Sequence, residues 1–393
     1  MMKRIAYFKR KVVLVVIPLL LYVMHFFVKT DDQLVLFSSF NGKGYLDNPK
    51  AIFEAMQSNP EHKNYQLVWG MKKLEHIKGA KVVKQRSLAY FYYLVKAKYW
   101  VFNAKMPEYY VKKDDQIYLQ TWHGTPLKRL AHDMTDTGIT YYRSQQSYQQ
   151  MLASYDKDSQ LWDYLVSPNS FSTEVFSSAF QVPKEKLIET GYPRNDVLSQ
   201  ADDKSKKDIR EKYRMPQEKT VILYAPTWRD NDYGLTGYTF KLEVDFHKWQ
   251  KQLGDGYLIV FKPHYLISNQ FEIPSDLTEF VQTLPADSDI NDAYLMSDML
   301  ITDYSSVFFD YANLKQPIYF YMYDMAAYQD ELRGFYLDVP SDLPNDISQT
   351  EDDLLTKITT EKFDYERLAA FNQRFNQLQD GKASEKVIKE VFR

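Results

Sequence analysis

Residues 299–314 read MLITDYSSVFFDYANL. A short apolar run stops at a polar tetrad, and apolar residues then recur at helical spacing. Val307, Phe308, Tyr311 and Leu314 outline the buried face of that helix, and Asp303 or Ser305 is placed to cap it. Strand, polar turn and helix in succession form the repeating unit of an α/β fold. The same order runs outward along the chain. On the carboxyl side of residue 220 the strand candidates are VILYAP, YLIVFK, MLITD and PIYFYM; on the amino side they are LVLFSS, QLVWG, KVV, YWVFN, IYLQT and YLVSP. Short apolar runs separated by amphipathic stretches predict repeated βαβ units and two Rossmann-like domains with parallel sheets. No internal repeat or low-complexity tract interrupts them.

At 393 residues the chain exceeds one ordinary core and asks for more than one domain. The most polar stretch, 199–220, SQADDKSKKDIREKYRMPQEKT, divides the two strand sets. The expected organisation is therefore a basic and apolar anchor at 1–32, an amino-terminal domain at 33–198, a linker at 199–220 and a carboxyl-terminal domain at 221–393. The string DDLLTKITTEKFDYERLAAFNQRFN reads as helical and closes the last of these. The 49 Lys plus Arg nearly balance 52 Asp plus Glu, so bulk charge gives no reason to expect a nucleic-acid partner, and any anion site must be local. The chain has no cysteine, which excludes disulfides, thiolate zinc sites and a thiol nucleophile. Aromatic residues make up 16% of the chain, with 32 Tyr, and buried packing is the simplest use for them.

Lys3, Arg4, Lys9, Arg10 and Lys11 precede an apolar run from Val12 to Val28 that contains Pro18 and His25. As a straight helix that run reaches about 25 Å, short of a hydrocarbon core of roughly 30 Å. No small-residue cleavage site follows before Asp31. These features favour a monotopic or re-entrant anchor, with the basic residues on anionic headgroups, over a true span.

Open parallel sheets bind ligands at the carboxyl ends of their strands. Three such ends here carry anion-binding chemistry: Pro226-Thr227-Trp228-Arg229, Lys262-Pro263-His264 and Asp303-Tyr304-Ser305-Ser306. Hydroxyls and free backbone N–H groups at the start of a helix make a phosphate cradle without a glycine-rich loop. Taken singly, the serines read as simple caps and Arg229 and Lys262 as solvated loop charges. Together, on one sheet, they point to a bound anion.

The amino-terminal half offers SSFNGKGYLDNP, where Gly42 and Gly44 permit a tight loop and Pro49 suits the first helical position after Asn48. IYLQTWHGTPLKRL repeats the plan: a strand, then His123-Gly124, then Thr125 as cap and Pro126 as first helical residue. A helix amino terminus disfavours an imidazolium, so His123 is expected to stay neutral and accept a proton. The motifs GxGxxG, GxSxG, HExxH and the Walker A loop are absent, which removes support for dinucleotide binding, the usual hydrolase elbow, zinc proteolysis and P-loop hydrolysis. The acids at 230–232 and 287–289 resemble a metal-binding Asp-x-Asp but do not directly end strands, and read as loop acids. No histidine shows metal-ligand spacing.

WHGTPLK, GYPRND, YAPTWRD, FKPH and TDYSSVFFDYA, in this order and with the earlier SFNGKGYLDNP, resemble the CDP-glycerol glycerophosphotransferases that prime and polymerise teichoic acids. The match runs from about residue 34 to 340. The resemblance implies a GT-B arrangement of two lobes facing across a cleft, a CDP-alditol donor held mainly by the carboxyl-terminal lobe, no required metal or other cofactor, and peripheral attachment to the cytoplasmic face of the cell membrane. It carries donor contacts onto Trp122, Gly124, Thr125 and Pro126, onto Pro226, Thr227, Lys262, Pro263, Ser305, Ser306 and Asp310, and onto Arg194 in GYPRND; Arg229 and Asp303 join them from the strand ends. The mechanism that follows is in-line displacement at phosphorus. An acceptor hydroxyl attacks, His123 takes its proton, CMP departs, and His264, Lys262, Arg194 and the turn at Ser305 and Ser306 hold the diphosphate. The donor is CDP-glycerol or CDP-ribitol and the acceptor a lipid-linked glycerol phosphate or its polymer. Two alternatives stay open: a GT-B glycosyltransferase using a nucleotide sugar for capsule or wall polysaccharide, and a catalytically silent membrane-bound scaffold.

Overall fold

The structure is a computed structural model. It describes residues 2–136, 147–227, 233–234, 237–238, 243–262, 273–285, 288–325 and 334–392, with backbone alone for 2–12, 233–234 and 237–238. The chain divides into two compact units: unit 1 comprises 1–123, 136–194 and 382–393, and unit 2 comprises 124–135 and 195–381.

Unit 1 is built on a seven-stranded sheet, all parallel: β1 Asp31–Ser38, β2 Gln66–Met71, β3 Lys81–Lys84, β4 Ala97–Phe102, β5 Ile117–Gln120, β6 Tyr164–Ser167 and β7 Leu187–Glu189, in spatial order β3-β2-β1-β4-β5-β6-β7. Leu34, Val35, Leu36 and Phe37 are all fully buried, as a strand covered on both faces requires. Three of the covering helices start where the sequence supplies caps. Among the covering helices, α1 spans Met2–Phe27, α2 Asp47–Ser58, α3 Leu88–Lys96, α4 Tyr148–Ser159 and α5 Ser170–Phe180. Ser87 accepts from the Tyr90 N–H, Ser147 and Gln150 form a capping box, and Asn169 accepts from the Ser172 N–H. Aromatic rings fill the core: Phe37 stacks on Trp69 at 5.5 Å and meets Phe53 edge-on at the same distance.

Unit 2 repeats the design with β8 Thr220–Ala225, a two-residue pair β9 Tyr233–Gly234 and β10 Gly237–Tyr238, then β11 Tyr257–Phe261, β12 Val281–Thr283, β13 Met299–Thr302, β14 Ile318–Tyr321 and β15 Ile347–Ser348. Its six-stranded sheet runs β12-β11-β8-β13-β14-β15, again parallel. The expected α/β class with two parallel-sheet, Rossmann-like halves is present, and every strand expected from the sequence is a strand. The edge strands β7, β12 and β15 were not anticipated; at two or three residues each they are too short to show a pattern.

Two expectations differ from the structure. The stretch 199–220 is no linker but part of unit 2, where Asp203–Lys212 is a helix with a capping box at Asp202 and Ser205. Its buried Arg210 donates from Nε to the Met296 carbonyl at 2.9 Å and from Nη2 to Asp298 at 2.6 Å. A polar helix anchored through one arginine looks like a linker in composition. Second, the chain does not finish in unit 2: the helix Ala383–Val391 buries Val387, Ile388 and Val391 in the core of unit 1. The closing helical string is itself two helices, Glu351–Thr360 and Tyr365–Phe375. The helix α1 continues through Pro18, and no helix among the described residues is long and apolar enough to cross a membrane. Leu21 of α1 is fully buried on unit 1, whereas Val15, Val16, Leu19, Tyr22, Val23, Phe26 and Phe27 are exposed.

Candidate active site

In each sheet the strand order reverses once, between β1 and β4 in unit 1 and between β8 and β13 in unit 2. At such a switch point adjacent loops leave in opposite directions and open a crevice at the strand ends. Among the described residues, Thr227 and Asp303 follow the two strands that flank the switch point of unit 2.

In unit 1, β1 is followed by Phe40 and Asn41, α2 begins at Asp47, and β5 is followed by Trp122. All four have left-handed backbones, with φ of 46°, 56°, 65° and 50°. Non-glycine residues enter this region at a cost, so the surrounding hydrogen bonds and packing must hold these four turns. Asn48 Nδ2 donates to the carbonyls of Thr121 at 3.2 Å and Trp122 at 3.1 Å, and Gln120 Oε1 accepts from the Trp122 N–H at 3.0 Å. The Trp122 ring is buried against Phe176 and Phe180 of α5 and stacks on His123 at 4.5 Å; Phe40 meets the imidazole edge-on at 5.7 Å.

His123 Nδ1 lies 2.6 Å from the carbonyl oxygen of Asn103, the residue just after β4. A carbonyl can only accept, so the proton of the neutral ring sits on Nδ1 and the lone pair on Nε2. His123 keeps solvent contact at its outer edge, yet surrounding protein removes enough water to push its pKa below 6.5. The Asn103 carbonyl and Asp47 push it up, and Arg194 pushes it down. A shift in that direction favours the neutral ring, and its first cause is burial, not a helix amino terminus. No helix starts at Thr125 or Pro126. Residues 124–135 instead run along 334–336 in unit 2, with Arg129 N donating to Gly334 O at 3.1 Å and Tyr336 N to Leu127 O at 2.9 Å. The backbone groups of Leu127 and Arg129 are paired there, and the only helical turn in the stretch is the single one at Ala131–Asp133.

Arg194 is anchored within unit 1. Its Nη1 donates to Asp47 Oδ2 at 2.7 Å, its N–H donates to Asn48 Oδ1 at 3.0 Å, and its guanidinium lies over Tyr192 at 4.9 Å. Asn103, Asp47 and Gln120 escaped the sequence reading. Asn103 and Gln120 were recoverable from one signal, since each lies at the carboxyl end of a strand.

In unit 2, Thr227 follows β8 and Asp303 follows β13, and the Thr227 N–H donates to Asp303 Oδ1 at 2.7 Å, stitching the two loops at the switch point. Asp303 is therefore a loop tie and not a helix cap. The helix beyond it, Val307–Tyr311, has five residues and buries Phe308, Phe309 and Tyr311, while Val307 and Leu314 stay half-exposed. Ser306 occupies its N-cap position without a side-chain cap bond, and Ser305 Oγ reaches the Val307 N–H only at 3.5 Å. The serine hydroxyls are thus not spent on capping. A Cβ on Gly124 would stand 2.9 Å from Ser306 Oγ, so the glycine backbone presses against that hydroxyl; Thr125 and Pro126 beside it are buried.

Lys262 Nζ donates to the Pro285 carbonyl and the Ser288 carbonyl at 3.1 Å each, and to Ser288 Oγ at 2.7 Å. Asp310 is buried and accepts from Asn195 Nδ2 at 2.7 Å, so it holds the chain after GYPR. Pro226 is half-buried at the end of β8. Arg229, Pro263 and His264 lie outside the described residues, as do the acids at 230–232 and Asp287. Asp289 caps the helix Ile290–Met296. Among the described residues no three His, Asp or Glu side chains group to hold a metal.

The profile of the family described as CDP-Glycerol:Poly(glycerophosphate) glycerophosphotransferase matches residues 20–393. The chain is 41% identical to the teichoic acid glycerol-phosphate transferase of Staphylococcus aureus, over 92% of this chain and 94% of that protein. It is 39% identical to the teichoic acid poly(glycerol phosphate) polymerase of Bacillus subtilis over 92% of this chain, and spans 49% of that protein's length. The solved wall teichoic acid polymerase TagF superposes with a TM-score of 0.84 at 39% identity, covering 92% of this chain and 88% of that one. A histidine-to-asparagine variant of TagF has also been solved after a soak with CDPG.

Proposed function

The chain belongs to the CDP-glycerol:poly(glycerophosphate) glycerophosphotransferase family, and from that premise we propose that it transfers glycerol phosphate from CDP-glycerol to a hydroxyl of a glycerol-phosphate acceptor in teichoic acid synthesis, releasing CMP. The observation that carries this reading is the 2.6 Å contact from His123 Nδ1 to the Asn103 carbonyl, which leaves Nε2 as a lone-pair acceptor on a histidine kept neutral.

The acceptor hydroxyl gives its proton to His123 Nε2 as its oxygen attacks the glycerol-bearing phosphorus, and the bond to the CMP oxygen breaks. The imidazolium that forms is stabilised by the Asn103 carbonyl at Nδ1–H and by the carboxylate of Asp47. A base of this kind contributes about 10²- to 10⁴-fold. On the donor side, Ser305 and Ser306 offer hydroxyls, and the short helix behind them offers backbone N–H groups. Lys262, Arg229 and His264 supply positive charge or protons to the leaving phosphate. Thr227, Asp303 and Pro226 set the loops that shape this cradle, Asp310 fixes the chain behind Arg194, and Gly124, Thr125 and Pro126 give it walls. Arg194, tied to Asp47, supplies charge rather than a mobile clamp.

The relevant test is CMP release from CDP-glycerol with a short glycerol-phosphate acceptor. His123→Ala loses at least about 10²-fold in kcat; turnover within a few-fold of wild type removes His123 as the base. A panel of CDP-glycerol, CDP-ribitol and UDP-sugars separates this reading from a glycosyltransferase, and titration with CDP-glycerol separates it from a silent scaffold.

The acceptor is taken as lipid-linked, which places the enzyme on the cytoplasmic face of the membrane. Every residue between 13 and 27 that is classed as exposed is apolar, and the stripe repeats every three to four residues along α1. With the basic residues of its first half, α1 lies in the headgroup boundary. Phe26→Ser/Phe27→Ser should abolish sedimentation with anionic vesicles while leaving turnover of a soluble acceptor unchanged; retained sedimentation removes α1 as the anchor.

A further inference from the structure

Between β5 and His123 stands Trp122, held in a left-handed conformation that no glycine relieves. What holds it is a buried chain of polar groups. Gln120, fully buried, accepts the Trp122 N–H on Oε1 at 3.0 Å. An amide has one acceptor end and one donor end, so Nε2 must then point the other way, where it donates to Tyr118 Oη at 3.2 Å and to the Ala104 carbonyl at 3.4 Å. Tyr118 Oη, having accepted from Gln120, has its own proton left to give, and Asp158 Oδ1 of α4 lies 3.4 Å away to take it. Tyr118, Gln120 and Asp158 are all buried, and Tyr118 and Gln120 share a face of β5 because they are two residues apart.

We infer that Gln120 is a positioning residue for His123, and that Tyr118 and Asp158 keep its amide turned the one way round that holds the Trp122 peptide in place. This rests on His123 being the base of the proposed reaction. The direction of every donor in the chain is decided once the Trp122 N–H is placed, so the network has a single satisfied arrangement. If the Gln120 amide turned over, its NH₂ would face the Trp122 N–H, donor against donor. The turn would lose its tie, and the Trp122 ring that stacks on His123 would move with it. A displacement of about 1 Å at a reacting group is enough to cost on the order of 10²-fold in rate. The Asp158 carboxyl is pushed up by burial to about 7, which suits a group whose partner is a neutral phenol. Lys105, hydrogen-bonded to Ser154 Oγ at 2.5 Å, is a cation that acts on this end of the chain and opposes the upward shift.

The experiment compares wild type with Tyr118→Phe, which removes one hydroxyl and leaves the ring packing intact. Histidine ¹⁵N spectra are recorded over a pH series, with His123 identified by its absence in His123→Gln. The expected result is that His123 loses its preference for the Nδ1–H tautomer and its midpoint rises toward 6.5. CMP release then shows kcat reduced about 10- to 100-fold with donor KM unchanged. Asp158→Asn, whose carboxamide oxygen still accepts from Tyr118, should retain the wild-type His123 spectrum, and Asp158→Leu should reproduce Tyr118→Phe. Gln120→Met gives a second route to the same readout should Tyr118→Phe fold poorly. An unchanged His123 spectrum in either folded variant overturns the inference. Because the spectra need no turnover, a wild-type protein that releases no CMP would refute the proposed function and still leave the positioning decided.

Discussion

Arg194→Gln and Asp47→Asn probe the ion pair beside His123. The two side chains are 147 residues apart in sequence, 5% and 6% exposed, and joined at 2.7 Å. Removing one partner from such a pair strands the other charge in the interior, at a cost of about 3–5 kcal/mol. Arg194→Gln leaves the Asp47 carboxylate; Asp47→Asn leaves the guanidinium but keeps an oxygen for the Asn48 N–H, which Asp47 Oδ1 accepts at 2.7 Å. At about 2–4 °C per kcal/mol for a domain of 150–250 residues, either change lowers the melting temperature of unit 1 by roughly 6–20 °C. The double variant removes both charges and should regain most of the loss, because a buried pair is nearly break-even against neutral groups of similar size. Calorimetric scans of the four proteins give the cycle. Histidine NMR adds a second, signed readout: Arg194→Gln raises the His123 midpoint, and Asp47→Asn lowers it, since the cation pushes it down and the carboxylate pushes it up. Single variants within about 1 kcal/mol of wild type, or a double variant equal to the sum of the singles, would refute the reasoning.

The acid limb of kcat/KM should fall below pH 6.5, because the base acts when neutral and its pKa is displaced downward; a limb above 7 assigns the proton transfer to another group. Asp158 has its pKa raised from 3.8 to about 7 by burial, so its ionisation favours the unfolded chain, and stability erodes as pH rises from about 4 to 7. Asp158→Asn should therefore be near neutral at pH 4 and stabilising at pH 8, by as much as about 4 kcal/mol; urea titrations at the two pH values check this, and a variant less stable at pH 8 contradicts it. Gly124→Ala places a methyl group 2.9 Å from Ser306 Oγ. The hydroxyl can rotate away, so melting should shift by less than about 3 °C while the donor KM rises; an unchanged KM removes Ser306 from the donor cradle.

The repeated strand, polar turn and helix were legible along the chain because each βα unit carries its own local pattern: a short apolar run, then a helical period. The strand-end rule then pointed to Thr227, Asp303, Ser305, Ser306 and His123 before any contact was known. Local pattern failed where a partner far along the chain decides the outcome. Residues after His123 look like the start of a helix, with Thr125 and Pro126 in the favoured positions, but Leu127 and Arg129 just beyond them pair with 334–336. The polar run at 199–220 resembles a linker until Arg210 meets Asp298.

By itself, then, the sequence determined the α/β class, the strands long enough to show a pattern, and the residue types standing at their carboxyl ends, since backbone propensity and hydrophobic period act over a few residues. Only the tertiary structure decided that Asn103 holds the imidazole proton on Nδ1, that Arg194 is spent on Asp47, that Lys262 clamps a loop, and that the last helix returns to unit 1. Each of these depends on burial and on a hydrogen-bond partner that no stretch of neighbouring residues can supply.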